Sequence, residues 1–415
     1  MSRETGFARR LGFVMFCAAM VALAPSVNAA TITVTGMGDT LGNNGVCTIR
    51  EAIINANNNA ATWTDCAAGS GADTIVLPAG TITLTISNTP NSFNAEELSL
   101  KGDLDISSSL TINGNAAGTT INGGAVDRIF DINPDTDSDP ATAQPAIAVS
   151  INLLTITNGR QNDVGAIRVQ ANATVTMRDC TVSNSVSWAN DAGGIGVLNG
   201  GTLSMTNCTV SGNSALLLDG GIKNEGSLNL TGCTITNNNA VHNRGHGLGC
   251  GGTACNVRNT IIAGNGSAIS ADTEGSITSL GYNLIGKITD DLGNPITVVT
   301  ATTGDQFGVT AAQVHLGPLA NNGGPTKTHA LLAPSIAIDK GHSSGSVTDQ
   351  RGSVRPCDDP AIANAPGGDG ADIGAFEVKG NCGQPDDCCC RRVRGRLVGS
   401  CCPVVKQPKI KSQPQ

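Results

Sequence analysis

The sequence predicts an all-β chain wound as a single right-handed parallel β-helix, with a short capping helix before the coils and a capping domain after them. Two regularities carry the prediction. The triplets Leu154-Thr155-Ile156, Cys180-Thr181-Val182, Cys208-Thr209-Val210, Cys233-Thr234-Ile235 and Asn259-Thr260-Ile261 follow one another at intervals of 26, 28, 25 and 26 residues, a period that marks stacked repeats. A second mark, Gly165-Ala166-Ile167, Gly193-Gly194-Ile195, Gly220-Gly221-Ile222 and Gly247-Leu248, keeps the same rhythm. Within a unit, apolar residues alternate with Thr, Ser or Asn, as in Thr202-Leu203-Ser204-Met205-Thr206, which is the period of a strand with one buried face. One unit is too short to bury that face alone, so coils must lie on one another with their strands paired in parallel. Equivalent side chains then stack about 4.8 Å apart. Ile167, Ile195, Ile222 and Leu248 form one ladder, and Leu154, Cys180, Cys208, Cys233 and Asn259 another.

Composition agrees. Of 415 residues 39% are hydrophobic, only 2% are aromatic, and 53 are Gly, which suits narrow coils filled by Val, Ile and Leu with Gly, Asn and Asp at the bends. A helical bundle is excluded on the same grounds. Residues 31–380 hold 15 Lys and Arg against 30 Asp and Glu. So acidic a body argues against a nucleic-acid partner and is compatible with Ca²⁺ and with life outside the cytoplasm.

Residues 1–30 read as an export signal: Arg9-Arg10, an apolar run from Leu11 to Ala24, then Val27-Asn28-Ala29. The run is too short to span a bilayer comfortably, so no transmembrane segment is expected in the mature chain, which would be secreted or held at the cell surface. Residues 31–125 are assigned to the N-terminal cap and first coils. Thr31 to Thr35 reads as a strand, and Cys47 to Ala56 as the one amphipathic helix. Thr48 and Glu51 have capping-box spacing, and Ile49, Ala52, Ile53 and Ala56 share a face. A helix there would cover apolar ladders and strand edges that the first coil leaves open.

Cys47-Thr48-Ile49-Arg50-Glu51-Ala52 resembles the Cys-Ser-Leu-Arg-Glu-Ala signature of a family of secreted β-helix proteins, and Cys66 followed by Gly71-Ala72-Asp73-Thr74-Ile75-Val76-Leu77-Pro78-Ala79-Gly80 is similar to the segment that follows it there. The resemblance implies a disulfide between Cys47 and Cys66, reasonable in an oxidising compartment; two buried thiols are the other reading.

Residues 126–290 are the regular repeats. Asp131, Asn133, Asp135, Asp137 and Asp139 interrupt them as alternating oxygen donors that can converge on Ca²⁺ where the backbone curls. A sharp-turn Gly and a bidentate Glu are missing, and a solvated acidic loop is the alternative. No other cofactor is implied.

Residues 291–380 are expected to form the second cap. Gly317 to Leu332, Ala337-Ile338-Asp339, Asp349-Gln350-Arg351-Gly352, Arg355-Pro356 and Asp372 to Glu377 are similar to the choice-of-anchor Q domain of bacterial surface proteins. Arg351 there offers a planar fork to Asp339, Asp349 or Asp372. Residues 381–415 form a Cys-rich, basic tail with the composition of a disordered segment.

Three clusters invite chemistry. His242, His246, Cys250 and Cys255 have spacings open to zinc, while Cys250 and Cys255 alone suit a small disulfide loop. Cys180, Cys208 and Cys233 stack at a spacing too wide for disulfides and read as a ladder of free thiols. Asp163, Asp191 and Asp219, with Lys223 and Arg244, have the residue types a sugar lyase uses, but Asp beside Gly at a repeated turn ordinarily serves backbone geometry. Trp63, Trp188 and Tyr282 are scattered, giving no aromatic platform for a sugar. The repeats also resemble those of polymorphic outer-membrane adhesins, through Gly-Gly-Ile and Val210-Ser211-Gly212-Asn213-Ser214-Ala215, although no transmembrane barrel follows. The expectation is a non-catalytic, adhesin-like surface or secreted module that presents its turn faces to a glycan or another cell, with no catalytic residues. A carbohydrate-active β-helix enzyme, pectate lyase-like or polygalacturonase-like, is the alternative.

Overall fold

In a computed structural model, the described residues are 28–87, 98–135, 144–190, 192–242, 245–267 and 270–379, together with the backbone of the strands Arg391–Val393 and Arg396–Val398. Residues 1–27 of the export signal read at 1–30, and most of the tail, lie outside them.

The alternation seen in sequence becomes three long parallel faces. One coil runs from Ile195–Val197 on face 3 to Thr202–Thr206 on face 1 and Thr209–Ser211 on face 2. It closes through the short strand Ser214–Ala215 before Ile222–Asn224 starts the next coil. Every pairing between coils is parallel and in register, as a right-handed parallel β-helix requires. Nine rungs stack on face 1 among the described residues, from Thr31–Thr33 to the end of Thr273–Ser279. The bend from face 1 to face 2 needs a left-handed backbone once per coil, at Asp179, Asn207, Gly232 and Asn259 with φ of 55, 51, 61 and 47°. Gly, Asn and Asp accept that conformation with least penalty, hence their recurrence.

The first predicted ladder is present and longer than expected: Leu104, Phe130, Ile167, Ile195, Ile222 and Leu248 are in register and buried. The second needs one correction. Thr234 pairs with Ile261, so Cys233 stands under Thr260, whose hydroxyl accepts the Cys233 N–H at 3.2 Å. Asn259 is the bend residue, one position early, because this coil holds 27 residues where the triplets suggested 26. Cys180, Cys208 and Cys233 are free and fully buried, and burial pushes the Cys208 and Cys233 thiols well up. Native-state alkylation followed by peptide mapping is therefore expected to leave all three unmodified, with labelling only after denaturation; rapid labelling of the folded chain would contradict this packing.

A polar ladder, not singled out in the sequence, runs beside the apolar ones. Asn213 donates to the Asn238 side-chain oxygen at 3.1 and 3.0 Å, Asn238 to that of Asn265 at 3.0 and 2.9 Å, and Asn265 to Asp272 at 2.8 and 2.9 Å. Each amide satisfies backbone and neighbour together, so the buried row carries no orphan donors along its length.

The helix Ile49–Asn58 has the expected capping box. Its Asn57 amide accepts from Ser107 N at 3.0 Å and donates to Asp105 O at 2.7 Å, taking the place of a strand beside Leu104–Ile106. Cys47 and Cys66 are disulfide-bonded, as the resemblance implied. Arg50 is fully buried and makes the fixed point of this cap. It pairs with Asp39 at 2.6 and 3.2 Å and donates to the carbonyls of Ser99, Gly102 and Asp103 at 3.0, 2.8 and 2.9 Å.

The C-terminal segment departs most from expectation. Rather than only closing the far end, it folds back along face 2. Thr181 Oγ1 donates to Lys327 O at 2.6 Å, Thr209 Oγ1 to Gln350 Oε1 at 2.6 Å, and Ala375 N to Thr234 Oγ1 at 3.0 Å. The Thr of each Cys-Thr-Val or Cys-Thr-Ile triplet is thus a docking residue, and these outward threonines are buried. Of the three carboxylates offered to Arg351, Asp349 takes it, at 2.6 and 2.8 Å, and the guanidinium lies 3.5 Å over the Phe376 ring. Arg355 and Glu377 form a second buried pair at 2.7 Å.

Candidate functional site

The densest charge in the described residues lies on face 3, at its first coils. Outward positions on adjacent rungs are Asp105, Asp131 and Arg168, in register through Leu104–Ile106, Phe130–Ile132 and Ile167–Val169. Asp103, Asp127 and Arg128 precede these strands, and Asp163 comes from the loop above. Arg128 Nε reaches Asp103 at 2.5 Å, and its Nη1 reaches Asp163 at 3.2 Å. Arg168 pairs with Asp131 and, at 2.9 Å, with Asp163. Gln161 donates to Asp127 at 2.5 Å and Gln170 to Asp131 at 2.9 Å.

Five carboxylates thus face two guanidiniums, and full ionisation would bury excess negative charge. A proton relieves it. Burial pushes the Asp103 carboxyl up to about 8, with Asp127 and Asp131 adding to the rise and Arg128 opposing it. Burial raises Asp127 too, against Arg128. For Asp163 burial acts upward, but Arg128 and Arg168 outweigh it and hold the carboxyl below its usual range. A protonated and an ionised carboxyl sharing one arginine have the polarity of an acid–base pair. Access is the obstacle, since Asp103, Asp105 and Asp131 are 4, 0 and 1% exposed.

Oxygens of Asp103, Asp105 and Asp131 all lie within 4.8 Å of one another, close enough to be shared by a cation. The donor set fits Ca²⁺ poorly, because Ca²⁺ takes six to eight oxygens and guanidiniums already occupy Asp103 and Asp131. Of the alternating set read from sequence, the described members Asp131, Asn133 and Asp135 turn to separate partners. Asn133 donates to Pro145 O and Ala171 O at 3.1 and 2.8 Å, Asp135 accepts from Gln144 at 3.2 Å, and Asp137 and Asp139 lie outside the described residues.

The other candidates separate. Cys250 and Cys255 form a disulfide, which removes both thiolates from any zinc site; His242 is exposed, while His246 is buried and accepts the Ala240 N–H at its Nδ1, 3.0 Å away. Lys223 pairs with Glu225 at 2.9 Å, Asp219 is buried over Gly249, and Asp191 and Arg244 lie outside the described residues. Trp188 is not isolated: it stacks in sequence register with Leu216 and Val241 on successive coils, 53, 43 and 64% exposed. The signal for this stripe was available as the residue following Val186–Ser187, Ser214–Ala215 and Asn239–Ala240. The Arg128 and Arg168 cluster had no such signal, because its members are up to sixty-five positions apart.

Fold and charge together define a right-handed parallel β-helix with a buried carboxylate–arginine network on one face. A family model for the right handed beta helix region matches residues 143–303. No curated protein matches the chain. Among solved structures, the crystal structure of pectate lyase Pel9A is similar over 85% of this chain and 97% of its own, with 13% identity and a TM-score of 0.37. No helix among the described residues is long and apolar enough to cross a membrane.

Proposed function

We propose that this protein is an exported, non-catalytic β-helical rod, secreted or held at the cell surface, that presents an ordered polar face to a glycan or cell-surface partner. The observation that carries the reading is how the three faces are covered. Face 2 lies under the C-terminal segment, and on face 3 Val164, Ala192 and Asp219 overhang the sheet while the carboxylates beneath are closed off by arginines. Face 1 alone keeps all the outward residues of its central strands at least partly open. No cofactor enters the reading, and no ligand set for Ca²⁺ is required.

The test is incubation of the full chain with a polysaccharide panel that includes pectin and polygalacturonate, with Ca²⁺ in one arm and a chelator in the other. Binding without unsaturated products or new reducing ends is expected in both arms. Steady product release would favour a carbohydrate-active enzyme.

A further inference from the structure

Resting on that reading, we infer that face 1, between Ile147–Asn152 and Ala254–Arg258, is a binding track for an acidic linear polysaccharide laid along the rod. Its outward positions form three files of five residues on five consecutive rungs. The central file is Ser150, Thr176, Ser204, Asn229 and Asn256. Neighbours in it hydrogen-bond to one another, Ser150 with Thr176 at 2.9 Å, Asn229 to Ser204 at 3.3 Å and Asn256 to Asn229 at 2.9 Å. This row of hydroxyls and amides repeats about every 4.8 Å, a step comparable to one unit of an extended glycan. The sheet holds it rigid, so little ordering opposes association.

Charge selects the kind of glycan. None of the fifteen outward positions is Asp or Glu, although residues 31–380 carry twice as many acidic as basic residues. The two charged members are both arginines, Arg178 and Arg258, in the same file and three rungs apart, about 14 Å at the usual strand spacing. Arg178 makes no salt bridge within 4 Å among the described residues, Asp179 at the adjoining bend being the acidic group it feels, and the Arg258 guanidinium touches only Ser344 Oγ at 3.5 Å. A planar guanidinium matches the two-oxygen edge of a carboxylate or sulfate. An anionic chain repelled by the rest of the body therefore finds one long surface with hydroxyl partners, no like charge in its three files and two anchors.

The experiment is affinity electrophoresis of the full chain in gels containing alginate, dextran sulfate or neutral dextran, at low and high salt. Retardation by alginate, dextran sulfate or both is expected, with salt weakening it; which polymer acts identifies carboxylate or sulfate as the group recognised. The double variant Arg178→Glu/Arg258→Glu should lower affinity at least tenfold, while Arg160→Glu, exposed away from face 1, leaves it unchanged; denaturant midpoints check that both variants fold. No retardation, equal retardation by neutral dextran, indifference to the double variant, or an equal loss from Arg160→Glu would each overturn the assignment. So would a concentration-dependent dimer abolished by the double variant, since a second copy would then own the face. Cleavage of the polymer would sink the non-catalytic reading but leave the face to be judged by the variants.

Discussion

Arg50→Ala is expected to cost more stability than other single changes in the N-terminal cap, on the order of 3–5 kcal/mol, the range for removing one partner of a buried ion pair. The Arg50–Asp39 pair is wholly shielded from solvent. Without the guanidinium, the Asp39 carboxylate stays buried with only the Thr85 and Ile86 N–H groups to hold it, and the carbonyls of Ser99, Gly102 and Asp103 lose their donors. Arg50→Lys should rescue little, because an ammonium cannot reproduce a planar fork that bonds Asp39 and three carbonyls together. The measurement is a denaturant midpoint by far-ultraviolet circular dichroism for wild type, Arg50→Ala, Asp39→Asn and the double variant. The double variant should lose less than the sum of the two singles, since contacting partners couple. A midpoint for Arg50→Ala within experimental error of wild type would refute the clamp.

Stability should fall as pH rises from about 4 to about 8, and Asp103→Asn should flatten that slope. The sign follows from linkage. A carboxyl whose folded pKa is raised binds its proton more tightly in the native state, so its contribution is full below the ordinary value of 3.8 and is lost as pH climbs through the folded value. Asp103, pushed by burial to about 8, spans the whole window. At about 1.4 kcal/mol per pKa unit its ceiling is on the order of 6 kcal/mol, reduced by the coupling to Asp127 and Arg128. Asp372, raised by burial and by Glu377 to about 7, and Asp179 and Asp272, raised by burial to about 6, act in the same direction, so the variant flattens the slope without abolishing it. Asp163, held low, contributes stability that disappears only below about pH 4 and leaves this window untouched. His246 and His329, whose imidazoles burial holds below their usual value, pull the other way, adding stability as pH rises toward about 6.5. The decisive comparison is therefore between the denaturant midpoints of wild type and Asp103→Asn from pH 4.5 to 8.5, and identical slopes would overturn the protonated Asp103.

Much of the rod was legible in the chain. Because parallel in-register stacking puts like residues above like, a period near 26 and an alternation of two were enough to place Ile167, Ile195 and Ile222 in one ladder, and Thr48 and Glu51 announced the cap helix through a purely local pattern. The same local logic failed at Asn259, where one extra residue in a coil shifts the register without disturbing the triplet's appearance.

What only tertiary structure decided is which faces remain open and which charges meet. The repeated Thr of Cys-Thr-Val or Cys-Thr-Ile looks the same whether it faces water or a docked segment; residues 327, 350 and 375 settle that from a hundred and more positions away. Likewise Asp103, Arg128, Asp131, Asp163 and Arg168 carry no motif, since each coil contributes one or two of them and only stacking brings them together. Sequence determines what repeats along a solenoid because each rung meets its neighbour at a fixed spacing; contacts made across the rod by a segment outside the repeat follow no period, and so only the folded chain reveals them.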